Sequence, residues 1–293
     1  MSIAFEKSIS TFLGYLEARG KSLNTVKNYR YDLDALHAFC EKYDKDFTSL
    51  SLIDLEAFSN TLRSQGLSTN SIRRRLITTR TFLRYLSNRI DVSTIGSEKV
   101  SLPDRVERPP SLVSPESIKK IIQNQPKSII GLRNQTLLSL LYDTGILISE
   151  AVSLRKKDFK PNTRQVVIGG KRARILSVSP QTSKFLKKLT SVTKGRSFFF
   201  YGHTKSRMNP EKLTPRGAEL LFAAFAKEHK LKHFHPRTLR HLFIVRKLLK
   251  NTSESEIQRE LGWSTPYSFK NYYELIKEIK GRSESDQALY ASK

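Results

Sequence analysis

One cysteine, Cys40, one tryptophan, Trp263, and two methionines are all that 293 residues supply of these types. A lone cysteine excludes an intramolecular disulfide and any site built on a cysteine pair. Cys40 falls in an apolar helical pattern and reads as a small core residue. Acidic residues are also scarce, 27 Asp and Glu against 52 Lys and Arg. No apolar run approaches the roughly 18 residues of a membrane span. The opening Met1-Ser2-Ile3-Ala4-Phe5-Glu6-Lys7 has neither the basic nor the apolar region of a secretory leader. These absences lead us to expect a reducing, intracellular setting and no membrane association. There is no Gly-x-x-x-x-Gly-Lys-Ser/Thr loop, which excludes a P-loop NTPase. His229, His233 and His235 cluster in sequence, but no cysteine pair or clear carboxylate completes a metal site, so no metal is expected. Two-metal nucleases need convergent carboxylates, and these are sparse where the charge is most basic.

What the chain does have is positive charge, unevenly spread. The formal net charge is +25. Residues 1–105 carry 16 basic and 12 acidic side chains, and residues 106–293 carry 36 and 15. A field of this kind calls for a polyanion partner.

Periodicity divides the chain into two halves. In the first, Phe5, Ile9, Phe12, Leu13 and Leu16 share one helical face, and Gly20 stops the run. Ser22 or Asn24 can cap a second helix carrying Val26, Tyr29, Leu33, Leu36, Phe39 and Cys40. A third runs from Ser51 to Leu62. A fourth starts at Ser68 or Asn70 and turns Ile72, Leu76, Thr79, Phe82, Leu83 and Leu86 inward. A bundle of four or five helices follows. The opposite face of the fourth helix carries Arg73, Arg74, Arg75, Arg80 and Arg84. An arginine fork matches phosphate oxygens, so these five are candidate contacts to a nucleic-acid backbone. The alternative is a solvated face.

The segment Ser101-Leu102-Pro103-Asp104-Arg105-Val106-Glu107-Arg108-Pro109-Pro110 has three prolines and little periodicity. It predicts an exposed linker. We therefore expect a helical domain over 1–100, a linker over 101–113 and a second domain over 114–293. The second half opens on a helix start at Ser114-Pro115-Glu116. A buried helix is predicted over Asn134 to Tyr142, ending at Thr144-Gly145, with a further turn over Ser149 to Leu154. Gln165 to Ile168 and Arg174 to Val178 read as a hairpin around Gly169-Gly170-Lys171-Arg172, with Ser197 to Tyr201 as a third strand. Helices are expected at about 215–229, 237–250, 254–261 and 265–279. The fold class is mainly α with a small β-sheet.

One run near the C-terminus carries the chemistry: His235-Pro236-Arg237-Thr238-Leu239-Arg240-His241, then Leu261-Gly262-Trp263, then Asn271-Tyr272-Tyr273. An arginine can clamp a phosphate, and a tyrosine can attack one. The run resembles the signature of the tyrosine recombinases, the phage-integrase and Xer family. The resemblance covers nearly the whole chain, including Ser22-x-Asn24-Thr25-x-x-x-Tyr29 and the linker. It implies an N-terminal helical core-binding (SAM-like) domain and a C-terminal α+β catalytic domain.

By that resemblance Tyr272, ten residues after Gly262, matches the nucleophile, with Tyr273 a neighbour that could be mistaken for it. Arg240 matches a phosphate-clamping arginine. His241 follows it in the family too and reads as a packing or supporting group. Trp263 sits where the family has His or sometimes Trp. It can donate one hydrogen bond but move no proton, and a plain core tryptophan is the other reading. Lys171 is the candidate for the hairpin lysine that protonates the leaving 5′ oxygen, although an ungapped match back from Arg174 puts Gly169 at that position. Lys171 and Arg172 are also candidate DNA contacts.

Two positions depart from the family. Within Thr144-Gly145-Ile146-Leu147-Ile148-Ser149-Glu150, Leu147 occupies the place of the first family arginine. Arg237 occupies the place of a histidine. Arg237 is not a base near neutrality, but it can donate to phosphate. We expect it to replace in part the guanidinium missing at 147, with His235 a weaker candidate relay.

The implied activity is site-specific cutting and rejoining of DNA through a 3′-phosphotyrosine, with no cofactor. The implied partners are double-stranded DNA and a homo- or hetero-tetramer joining two DNA sites, in the cytoplasm and on the nucleoid when DNA-bound. The alternative is a recombinase-derived DNA-binding or accessory protein with impaired catalysis, which Leu147 and Arg237 favour.

Overall fold

A computed structural model of the chain describes residues 2–89, 99–106, 110–204, 207–264 and 269–281. It forms two compact units, residues 1–107 and 108–293.

Unit one is built on α1 (Ser2–Ala18), α2 (Leu23–Lys42), α3 (Leu52–Ser64) and α4 (Thr69–Arg89). Short polar caps start them. The Ser22 hydroxyl accepts the Thr25 amide and so fixes the start of α2. Ser51 and Asp54 exchange hydrogen bonds at the start of α3. The inward faces pack Phe5 against Phe47 at 4.2 Å between ring centroids, with Phe82 also in the cluster. Cys40 is buried on α2, and burial raises its thiol pKa to about 12, with Asp46 and Asp54 adding to the rise. It is an inert core residue.

The segment expected as a linker lies partly against this unit. Leu102 packs against its core. Arg73 donates to the Pro103 carbonyl, and Asn70 exchanges two hydrogen bonds with the Val106 backbone. Residues 107–109 of that segment lie outside the described residues.

Unit two is organised by α6 (Ile129–Thr144), a helix buried along most of its length. Around it pack α5 (Pro115–Gln123), α8 (Pro180–Val192) and α10 (Pro236–Leu249). The sequence reading missed α8. Its start carries the same device as α5, a capping serine followed by proline at the first helical position.

The sheet also differs from expectation. Its third strand is β1 (Phe159–Lys160), paired antiparallel to β2 (Gln165–Ile168), which pairs with β3 (Arg174–Ser177). Residues 197–200 make no strand; Phe198 forms a single bridge to Arg155. Tyr201 instead begins β4 (Tyr201–Thr204), which pairs with β5 (Arg207–Lys212). The remaining helices are α7 (Ile148–Ser153), α9 (Pro215–Glu228), α11 (Glu254–Leu261) and α12 (Lys270–Lys280). The last helix was expected from 265, and residues 265–268 lie outside the described ones. α10, α11 and α12 share a satellite core, and Tyr272 and Trp263 belong to it.

Candidate active site

Two helix ends converge on one arginine. α6 stops at Gly145, in the left-handed region at φ 59. A side chain there would be strained, and its Cβ would fall 2.7 Å from the Phe243 ring. α11 stops at Gly262, φ 66, with the Gly262 amide on the Arg259 carbonyl and the Trp263 amide on the Gln258 carbonyl. This is a Schellman turn. These endings turn the carbonyls of Gly145 and Leu261 onto Arg240, which donates to them at 2.7 and 3.0 Å.

Arg240 is only 7% exposed. Burial lowers its pKa to about 10, against the opposing pull of Glu150, so it stays charged at neutral pH. Trp263 lies with its ring 5.5 Å from the guanidinium carbon. Two N–H groups are held by carbonyls, and a guanidinium has five. The rest of the fork can serve an anion.

Tyr272 opens α12 and is 3% exposed. Its hydroxyl meets His241 Nδ1 at 2.7 Å. Tyr272 is close enough to Arg240 for the two to feel each other's charge. Tyr273 points elsewhere, is 45% exposed, and donates to Glu254 at 2.8 Å. His241 is held to a pKa of about 4. Desolvation is the largest cause, and His235, Arg237 and Arg240 add to it. The imidazole is therefore neutral at physiological pH.

Leu147 caps α7, and its amide donates to Glu150 Oε2 at 2.8 Å. Both Glu150 oxygens also accept from Arg174. Burial works to raise the Glu150 pKa, but Arg174, the Leu147 amide and Arg240 outweigh it and leave it lowered. Arg174 also donates from Nε to the Glu260 carbonyl at 2.5 Å and from Nη1 to its neighbour Arg172. One β3 side chain thus fastens the hairpin to α7 and α11. Gly262 faces this junction: a Cβ there would fall 2.9 Å from Arg174 Nη1 and 3.2 Å from Arg172 Cβ.

The structure therefore brings together Arg240, Trp263 and Tyr272. Arg237 is exposed on α10, one turn before His241. Lys171 is exposed on the hairpin turn beside Arg172, whose charge reaches Arg240. His235 precedes α10, and partial desolvation, Arg237 and His233 lower its pKa. The sequence reading missed the His241–Tyr272 contact and the roles of Glu150 and Arg174.

In unit one the arginines of α4 separate. At about 100° per residue, Arg73, Arg80 and Arg84 line one face. Arg74 and Arg75 turn to Asp32, a 1% exposed carboxylate on α2 that also accepts from Thr78 at 2.9 Å. Arg74 hydrogen bonds to it, and Arg75 Nε lies 3.7 Å from its other oxygen.

Among the described residues no cluster of three or more His, Cys, Asp or Glu is grouped to hold a metal, and no helix is long and apolar enough to cross a membrane.

Residues 112–278 match the model of the "Phage integrase family", and residues 9–89 match "Phage integrase, N-terminal SAM-like domain". Among curated relatives, a tyrosine recombinase XerC of Herpetosiphon aurantiacus is 27% identical over 88% of this chain and 87% of its own. A tyrosine recombinase XerD of Oceanobacillus iheyensis is 26% identical over 87% of this chain and 89% of its own. Among solved structures, the XerH site-specific recombinase bound to palindromic difH substrate, in a post-cleavage complex, aligns with a TM-score of 0.72 and 18% identity. The alignment covers 95% of this chain and 82% of that one. That last likeness carries the fold.

Proposed function

This chain belongs to the phage integrase family of tyrosine recombinases, and from that premise we propose that it is an Xer-like site-specific recombinase acting on double-stranded DNA. The observation that carries the reading is the gathering of a phenol, Tyr272, and a charged, half-engaged guanidinium, Arg240, within electrostatic reach of each other. The Tyr272 oxygen attacks the scissile phosphorus and the bond to the 5′ oxygen breaks, leaving a 3′-phosphotyrosine. Arg240 stabilises the charge that builds on the non-bridging oxygens, and the Trp263 indole supplies a further donor. The Lys171 ammonium gives its proton to the departing 5′ oxygen. Arg237 adds a second guanidinium where Leu147 supplies none. The free 5′-hydroxyl of a second duplex reverses the step, so no external energy source is needed. Four protomers on two DNA sites are the assembly this exchange calls for. The setting is the cytoplasm, on the nucleoid when bound to DNA.

Arg73, Arg80 and Arg84 of α4, with Lys171 and Arg172, supply sequence-blind phosphate contacts. The charge excess supports this reading, because counterion release from a polyanion scales with the cations engaged.

A second reading is favoured by two residues. Leu147 has no donor and Arg237 has replaced an imidazole, as expected of a DNA-binding protein that has lost strand cleavage. One experiment separates the two. A target is first obtained by binding selection on random duplex DNA. The protein is then incubated with a nicked version of that target and denatured. A covalent protein–DNA adduct that disappears in Tyr272→Phe supports the recombinase; salt-sensitive binding without any adduct supports the silent binder.

A further inference from the structure

We propose that His241 is the proton acceptor for Tyr272, in the resting protein through a hydrogen bond and during strand cleavage as the base. The proposal rests on the recombinase reading and adds to it a proton-transfer role for a residue to which the resemblance gives only a packing or supporting one.

The geometry is direct. Nδ1 of His241 lies 2.7 Å from the Tyr272 oxygen, a full-strength hydrogen bond. The alternatives nearby are poor. Arg237 and Trp263 stand where the signature otherwise has imidazoles, and neither accepts a proton. Glu150 is occupied by Arg174 and the Leu147 amide. Tyr273 points to Glu254. A phenol is roughly 0.1% ionised at pH 7, so its attack on a phosphodiester gains from a base in contact.

The charge around His241 makes this base conditional. His235, Arg237 and Arg240 all press on it, and Tyr272 is its hydrogen-bond partner. In the free protein burial first, and then the positive charge of Arg237 and Arg240, keep the ring neutral, ready to accept. A DNA phosphate on Arg240 and Arg237 offsets that positive charge and raises the basicity of the ring. The step then balances. The Tyr272 oxygen bonds to phosphorus, its proton passes to His241 Nδ1, the P–O5′ bond breaks, and the leaving oxygen takes its proton from Lys171. On rejoining, the 5′-hydroxyl attacks, its proton returns to Lys171, and the His241 imidazolium returns the other to the phenol.

The test has two arms. In the first, protein with 15N-labelled histidine is studied without DNA. The chain has six histidines, and His241 is assigned as the ring lost in His241→Gln. The expected result is the Nε2–H tautomer with an acceptor Nδ1, disturbed in Tyr272→Phe. A ring protonated on Nδ1 would overturn the proposal. In the second arm, adduct formation on the nicked target is timed for wild type, His241→Gln and His241→Ala. Both variants should be slower by about 100-fold or more near pH 7. Their rates should climb about tenfold per pH unit as free phenolate forms, and added imidazole should restore His241→Ala. Wild-type rate with an unchanged pH profile in both variants overturns the proposal and leaves the recombinase reading intact. No adduct with any protein removes that reading and the cleavage role together, and the tautomer then decides the resting role alone.

Discussion

Glu150 and Arg174 form a forked ion pair, Oε1 to Nη1 at 2.7 Å and Oε2 to Nη2 at 2.9 Å, that joins α7 to β3. Both partners are largely shielded from water, the side chains being 15% and 6% exposed. Removing one side of such a pair leaves an uncompensated buried charge, at about 3–5 kcal/mol. We predict a loss of that order for Glu150→Ala, read from the urea midpoint. Pairing holds the carboxylate below its ordinary value of 4.5, so its contribution is complete above that pH and fades as acid protonates it. Wild type should therefore become more acid-sensitive below pH 4.5, and the variant should lack that component.

His241 is shifted in the same direction, downward, and acts over a different window. An ordinary histidine titrates at 6.5, and this one is held to about 4. The unfolded chain thus binds a proton that the folded chain refuses between those values. Stability is full above pH 6.5 and falls as pH drops towards 4, by up to about 3 kcal/mol. His235 is lowered too and adds to the slope in every variant. We expect His241→Gln to lose less stability between pH 7 and pH 5 than wild type, measured by urea denaturation at several pH values.

Arg237 and Leu147 should prove coupled. One preorganised donor to a transition-state oxyanion is worth about 10²–10³ in rate. Arg237→Ala should slow adduct formation by roughly that factor. Leu147→Arg should speed it, and in the double variant the loss from Arg237→Ala should shrink. An unchanged rate in Arg237→Ala alone would sink the idea that this guanidinium substitutes for the one absent at 147.

The arginines of α4 should divide into two classes. Arg75→Ala leaves the buried Asp32 carboxylate short of a countercharge and should lower the melting temperature. Arg84, exposed on α4, is not turned to Asp32, and its replacement by alanine should cost less stability than Arg75→Ala. It should instead weaken DNA binding evenly across sequences and lower the salt slope by about one. Parallel thermal melts and salt-dependent binding curves would check both halves.

The helices of unit one were readable because their apolar faces repeat cleanly and short polar residues start them. α8 went unread although Ser179-Pro180 announces it as clearly as Ser114-Pro115 announces α5. Its apolar positions, Phe185, Leu186 and Leu189, are few among lysines and polar residues. Ser197 to Tyr201 looked like a strand because it is aromatic, but Phe199 and Phe200 are core residues on irregular backbone. The arginine stripe on α4 was overcounted because the partner of Arg74 and Arg75, Asp32, lies 42 and 43 positions earlier. Spacing found Arg240, Trp263 and Tyr272. It could not find the His241–Tyr272 contact, whose partners stand 31 residues apart on separate helices. Glu150 and Arg174 were visible only as neighbours of other motif positions, since their pairing depends on how the hairpin meets α7.

The two carbonyls on Arg240 have a consequence for how any defect at this residue is interpreted. Each closes a helix, α6 through Gly145 and α11 through Leu261, and a helix C-terminus carries about half a negative charge. Arg240 is therefore the counterion of two macrodipoles before any substrate arrives. Removing its side chain would leave the Gly145 and Leu261 carbonyls without their donor and loosen the turn that carries Trp263. An Arg240 variant without activity would thus report on architecture as much as on catalysis, and Tyr272→Phe, which removes one oxygen, is the cleaner substitution for reading chemistry.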